Sequence, residues 1–198
     1  MRFLLKVSLY SVLAVALLGC ASKVEYGDAQ GVELVNAHFG STDLQQIAAK
    51  MVDSLLTNPD IIAMTAHKKP ILLVDVVRNK TLEHIDTESV TDTLVNKLLR
   101  SGKFQFVDMS NNADVRAQLD YQNQSGYVDP KKAIQLGRQA AAEHIIYGNL
   151  ASITKSNHAT EDVYYKFTLK MQNLSTGLLE WQEEKEIRKQ VSRSLFGL

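Results

Sequence analysis

The chain of 198 residues has one cysteine, three prolines and no formal net charge, and each scarcity excludes a class of answers. A lone Cys20 has no partner for an internal disulfide, so an exported domain of this length must be held by packing rather than by covalent staples. The charge balance argues against nucleic acid as the main partner, because phosphate binding needs a concentrated basic patch. No run of 18 apolar residues follows the first twenty, so no transmembrane helix is expected downstream. No period of 20–50 residues repeats, which excludes solenoids and propellers.

Catalytic furniture is missing too. The histidines, His38, His67, His84, His144 and His158, are scattered, with no HExxH, no CxxC and no pair at i, i+4, so no metal is expected. There is no GxSxG and no SxxK, and Gly102-Lys103 lacks the upstream glycine and the following Ser or Thr of a phosphate loop. No catalytic residue, metal or cofactor is therefore assigned, and the chain reads as a binding module rather than an enzyme.

What is present begins at the amino terminus. Arg2 and Lys6 precede an apolar run, 12–18, which ends in Leu17, Leu18, Gly19 and Cys20. That is the layout of a secretory signal, and Leu-Leu-Gly-Cys looks like a bacterial lipobox in which the cysteine is acylated and becomes the first mature residue. A plain signal peptide or a short membrane anchor is the alternative. The run is shorter than the roughly 20 residues that span a bilayer. Removing residues 1–19 leaves 179 residues with 20 basic and 22 acidic side chains, a charge of −2. Residues 20–40, without proline, read as a short lipidated tether, residues 41–191 as one globular domain and residues 192–198 as a tail.

Within the domain the spacing of apolar residues predicts the elements. A helix should start at Ser41, Thr42 and Asp43 and bury Leu44, Ile47, Ala48, Met51, Val52 and Leu55, ending at Asn58-Pro59. Residues 71–77 are nearly all apolar, as in a strand buried on both faces. A loop follows at 78–84. A second helix from Thr87 buries Val90, Leu94, Val95, Leu98 and Leu99, with Gly102 just past its end. A short strand at 104–107 completes a parallel βαβ unit. Helices are expected at 111–122, with Val115 and Leu119 buried, and from Asp129-Pro130 to 141. Three antiparallel strands follow at 144–153, 163–174 and 178–187. The middle one alternates, with Val163, Tyr165, Phe167, Leu169 and Met171 on one side and Tyr164, Lys166, Thr168, Lys170 and Gln172 on the other. In the last, Leu179, Trp181 and Ile187 share a face with Glu183 and Lys185, so its far end should leave the core. The order αβαβααβββ describes an α+β (mixed α/β) domain, with helices packed mainly on one face of a mixed sheet whose other face is partly wet.

Two polar clusters draw attention. His84, Asp86 and Glu88 could be ligands, or helix-start acids beside a loop histidine. Arg78, Asn79, Lys80 and Thr81 leave the carboxyl end of the apolar strand, where open α/β sheets usually present their sites; they are a candidate partner-contact loop or an ordinary solvated one.

Taken together, Ile71-Leu72-Leu73-Val74-Asp75, Arg78-Asn79-Lys80-Thr81, Thr87-Glu88, Gly102-Lys103-Phe104 and the hairpin Ser175-Thr176-Gly177 before Glu180-Trp181 resemble the LpoB family, outer-membrane lipoproteins that activate a class A penicillin-binding protein. The resemblance covers most of residues 41–190. It implies a fold like the amino-terminal domain of TolB, no enzymatic activity, and docking of a monomer on a bifunctional peptidoglycan synthase. It also implies acyl chains on Cys20 lodged in the outer membrane, with the domain facing the periplasm. Ala21 and Ser22 agree, since no Asp follows the cysteine. The best-known members carry a long proline-rich linker, and residues 21–40 depart from that. A second resemblance, to the curli-secretion lipoprotein CsgG, would require extra lipid-facing strands of about 9–11 residues.

Overall fold

A computed structural model of the chain describes residues 24–33, 36–108, 112–134 and 141–192. Cys20, the signal-like stretch before it and residues 193–198 lie outside them. The chain divides into two units, Met1–Gly31 and Val32–Leu198. In the described part of the first, Asp28 forms a turn by accepting the Gln30 N–H at 2.9 Å.

The second unit opens with an irregular arm that leads into helix α1 (Ser41–Thr57). The arm is not a free tether up to residue 40: Ala37 is 3% exposed and belongs to the core, and Phe39 packs against it. The Asp43 carboxylate turns back to accept the Gly40 N–H at 2.9 Å. The Glu33 carboxylate accepts the Ser41 N–H at 2.9 Å and its hydroxyl at 3.1 Å, so acids occupy the positive end of the helix dipole. Ile47, Ala48, Met51 and Leu55 are buried along the expected stripe. Asn58 ends the helix and starts another. Its Oδ1 accepts the Asp60 and Ile61 N–H groups, and Pro59 stands at the first position of α2 (Pro59–Thr65), a helix absent from the sequence reading.

The apolar run 71–77 is not one strand. It forms β1 (Ile71–Val74), and the supposed loop after it contains β2 (Arg78–Lys80). Both run parallel to β4 (His144–Ser156), Val74 opposite Ile146 and Arg78 opposite Asn149, so the chain takes four steps where β4 takes three. The extra residue reverses which side chains face inward. Val76 is accordingly 50% exposed and Val77 1%. Val77 donates its N–H to the Thr91 hydroxyl at 3.2 Å instead of to a strand. The expectation of burial on both faces fails for this reason.

Helix α3 (Thr87–Arg100) is capped by Asp86, buries Val90, Leu94 and Leu98, and leaves Leu99 exposed. Gly102 follows with φ 67°, the left-handed conformation expected after a helix end. β3 (Gln105–Val107) lies parallel to β1 and completes the βαβ unit. Helix α4 (Asn112–Gln124) contains no fully buried residue among those described, and Val115 is exposed rather than buried. Asp129 begins a single turn in which the Ala133 N–H reaches its carbonyl at 3.1 Å. Residues 135–140 of the helix expected there lie outside the described residues.

β4, β5 (Thr160–Asn173) and β6 (Leu179–Ser192) are long antiparallel neighbours, and the sheet runs β3-β1-β4-β5-β6 with β2 beside β4. Val163, Tyr165, Phe167, Leu169 and Met171 are buried, as the alternation predicts. Gly148 is obligatory: a Cβ there would sit 2.3 Å from the Thr168 carbonyl oxygen. A register shift at Met171/Gln172 sets Leu179 opposite Gln172 while Trp181 faces Met171, so Leu179 leaves the face it was expected to share. Nor does the far end of β6 leave the core. Glu183 pairs with Lys50 of α1 at 3.3 Å, and Lys189 meets the buried Asp43 at 2.9 Å. Just before Glu183 on the strand, the Trp181 indole N–H donates to the Ser54 hydroxyl at 3.3 Å.

Candidate functional site

Residues paired across neighbouring strands point to the same side of a sheet. Leu72, Ile146, Leu150, Tyr165 and Phe167 form the core with Ile47, Met51, Val90 and Leu94 from the helices. The opposite face carries Tyr147, Asn149 and Ala151 of β4, and Lys170, Thr168 and Lys166 opposite them on β5. β2 extends this face by one strand, since Arg78 pairs with Asn149 and Lys80 with Ala151. Most of these side chains are half-buried or exposed, so the face meets solvent.

Its charge is uneven. Along β6 the charges are matched: Lys166 pairs with Glu184 at 2.8 Å and Arg188 with Asp162 at 3.5 Å. The Arg188 guanidinium also lies 5.7 Å from the centre of the Tyr164 ring. A hydrogen bond to the Glu186 carboxylate raises the Tyr164 phenol above its ordinary value, and one to Glu184 raises the Lys166 ammonium. Arg78, Lys80 and Lys170, by contrast, have no ion-pair partner among the described residues. β2 and β5 flank β4, about 10 Å apart at the usual strand spacing. That separation exceeds the Debye length of about 8 Å at physiological salt, so exposed charges there are largely screened from one another. Arg78, Lys80 and Lys170 stand as three separate cations on one face, beside a border of matched charge.

The four residues singled out as a contact loop therefore divide by role. Arg78 and Lys80 project onto the open face. Asn79, opposite Leu150, is turned the other way. Its amide donates to the Glu83 carbonyl at 2.8 Å, and its Oδ1 accepts the Thr81 N–H at 2.9 Å and hydroxyl at 2.8 Å. The Thr81 hydroxyl in turn accepts the Glu83 N–H at 3.1 Å. Asn79 and Thr81 thus shape the turn that delivers Glu83. Lys170 and Tyr147 escaped notice as site residues, although the polar half of the β5 alternation already contained Lys170.

The second cluster resolves into a cap. Asp86 Oδ1 accepts the Glu88 and Ser89 N–H groups at 3.1 and 3.2 Å, and among the described residues no three His, Cys, Asp or Glu side chains converge as metal ligands.

With the face in view, comparison with known proteins is informative. The family model for the peptidoglycan-synthase activator LpoB matches residues 43–187. The chain belongs to the LpoB family. It is 31% identical over 107 residues to the penicillin-binding protein activator LpoB of Edwardsiella piscicida, covering 54% of this chain and 52% of that protein. For the Escherichia coli K12 protein of the same name the figures are 32% over 79 residues, 40% and 37%. The chain thus spans about half the length, or less, of these LpoB relatives. Among solved structures, the LpoB C-terminal domain from Escherichia coli overlaps 73% of this chain and 98% of that one, at 20% identity and a TM-score of 0.46. The matched LpoB proteins are named activators, a regulatory role and not a catalytic one. The family match spans the strands that carry Arg78, Lys80 and Lys170.

Proposed function

We propose that this LpoB-family chain is a lipid-anchored activator of a peptidoglycan synthase, a class A penicillin-binding protein, which it engages by docking the open face of its sheet. The observation that carries the reading is that Arg78, Lys80 and Lys170 have no ion-pair partner among the described residues, beside a compensated β6 border. Such a surface favours an acidic patch on the partner, and the border limits the register of docking. The activity is regulatory: the chain contributes contact energy and orientation, and the synthase does the chemistry.

In this reading residues 1–19 are removed, Cys20 is acylated, and the domain acts as a monomer facing the periplasm from the outer membrane. Cys20 and Gly31 are separated by a tether of about 12 residues, at most roughly 40 Å when extended. The CsgG-like alternative finds no support on β5, whose outward positions are Lys166, Thr168 and Lys170 instead of a lipid-facing row.

The test is reconstitution. The chain from Cys20 onward, mixed with the purified synthase of the same organism, should raise glycan polymerisation or crosslinking rates. The double variant Arg78→Glu/Lys170→Glu should weaken binding at least tenfold while folding normally. Absence of both binding and stimulation by the unmodified chain would refute the function; normal binding by the double variant would move the docking surface elsewhere.

A further inference from the structure

The arm before α1 is held in an unusual way. Among the described residues 36–39, no backbone-to-backbone hydrogen bond joins the arm to the sheet or to a helix. Side chains clasp it instead. The Glu83 carboxylate accepts the Phe39 N–H at 3.1 Å and lies 3.4 Å from His38 Nδ1. The Tyr165 hydroxyl hydrogen-bonds to Glu83 and reaches the Ala37 carbonyl at 3.3 Å. The Lys189 ammonium donates to the His38 carbonyl at 2.6 Å. Burial and the Glu83 contact push the Tyr165 phenol up, so it remains a proton donor. Among the described residues of the arm, the apolar anchors are Ala37 and Phe39, whose ring meets that of Tyr165 edge-on at 5.8 Å.

Removing this segment would therefore break no ladder and no helical bond. α1 would keep its own cap, because Asp43 is anchored by Lys189 of β6. The central strands, by contrast, lose paired backbone bonds along 13 or 14 residues if they open. Local opening starts in weakly bonded segments, and on the amino-terminal side of the fold, where the proposed anchor would pull, that segment is the arm.

We propose that residues 36–39 are a releasable strap, with Gly40 staying behind as the cap residue whose carbonyl accepts the Leu44 N–H at 3.1 Å. Tension on the amino-terminal side peels it from Glu83, Tyr165 and Lys189 while α1 and the sheet stay folded. With Glu33 released from Ser41 and Thr42 as well, the chain pays out eight residues, 32–39, about 28 Å of extra contour. The tether is then short at rest and longer under load. Only the source of the pull rests on the lipid-anchor reading; the peeling is a property of the fold.

The single cysteine makes the test direct. The unacylated full-length chain is held by a thiol-reactive handle on Cys20 and a second handle at the carboxyl terminus, then stretched in an optical trap. A reversible step of about 28 Å, less the span the arm already covers, should precede global unfolding. Glu83→Gln should lower its force, and Phe39→Ala should lower it further. In parallel, hydrogen exchange on the unstretched chain should show the Phe39 amide opening at least tenfold more often than the Phe167 amide. Unfolding in one step, or a Phe39 amide protected as well as Phe167, would overturn the proposal. An early step insensitive to both substitutions would overturn the clasp. None of these results depends on a synthase.

Discussion

Asp43 and Lys189 stand 146 positions apart in the chain and 2.9 Å apart in the fold. One opens α1 and the other lies near the end of β6, so the contact ties the first helix to the last strand. Both are largely shielded from water. A pair of this kind contributes little net stability when intact but is costly to break from one side, because the remaining charge stays buried. Lys189→Ala should lower unfolding stability by about 3 kcal/mol, read from the urea midpoint. Trp181, the only tryptophan, hydrogen-bonds to Ser54 of α1 and should report the loss by its emission. A loss below about 1 kcal/mol would place the pair with ordinary surface contacts.

Gly148→Ala tests the sheet itself. The added methyl would meet the Thr168 carbonyl at 2.3 Å and a Leu169 methyl at 3.0 Å, and the carbonyl belongs to a paired strand with nowhere to move. Overpacking of this kind costs about 1–3 kcal/mol; calorimetry should find the upper end of that range. An unchanged melting temperature would mean that β4 and β5 separate readily at this point.

Acid should loosen the attachments of α1. Glu33 is held below its ordinary value by hydrogen bonds from the Ser41 N–H and hydroxyl, and Glu183 by the Ser54 hydroxyl, then the Glu184 N–H and Lys50. A carboxyl depressed by folding stabilises the folded state above its unfolded value, and that contribution disappears as pH falls through the folded value. Stability should therefore be flat from pH 7 to about 5 and decline below it. Glu33→Gln and Glu183→Gln should each shallow the decline. Equal slopes in all three proteins would show that other carboxyls govern it.

Asn79 and Arg78 are neighbours with opposite expected phenotypes. Asn79→Ala removes the bonds that shape the turn to Glu83 and should cost about 1–2 kcal/mol, with faster exchange at the Thr81 and Glu83 amides. Arg78→Ala should change stability by less than about 0.5 kcal/mol while reducing partner binding. Stability loss in both would make the strand purely structural.

These contrasts also show what could be read in advance. The α1 and α3 stripes, the βαβ unit and the β5 alternation are periodic patterns, so Ile47, Leu94 and Phe167 fell into place from spacing alone. The extra residue between β1 and β2 was invisible, because a run of apolar residues broken only by Asp75 looks the same whether or not a strand is interrupted. The Asn58-Pro59 pair was read as a stop although the same chemistry at Asp129-Pro130 was read as a start. Glu183 and Lys185 looked like a frayed end because the partner of Glu183, Lys50, is distant in sequence, and Lys189, which meets Asp43, lay beyond the expected strand. The open face was half legible: the outward residues of β5 were known, but nothing local said that β2 would lie beside β4 and add Arg78 and Lys80 to them.

The miscount between Val74 and Arg78 has one more effect. Had β1 run on in step with β4, even-numbered residues would have stayed inward, and a guanidinium and an ammonium would have been turned to the helix side of the sheet. The single surplus residue inverts that parity. Deleting one position among 75–77 would exchange the two sides of everything downstream in β2, turning the charges off the open face and Asn79 onto it. The polarity of this surface is thus set by an odd or even number, and length there is as tightly constrained as composition.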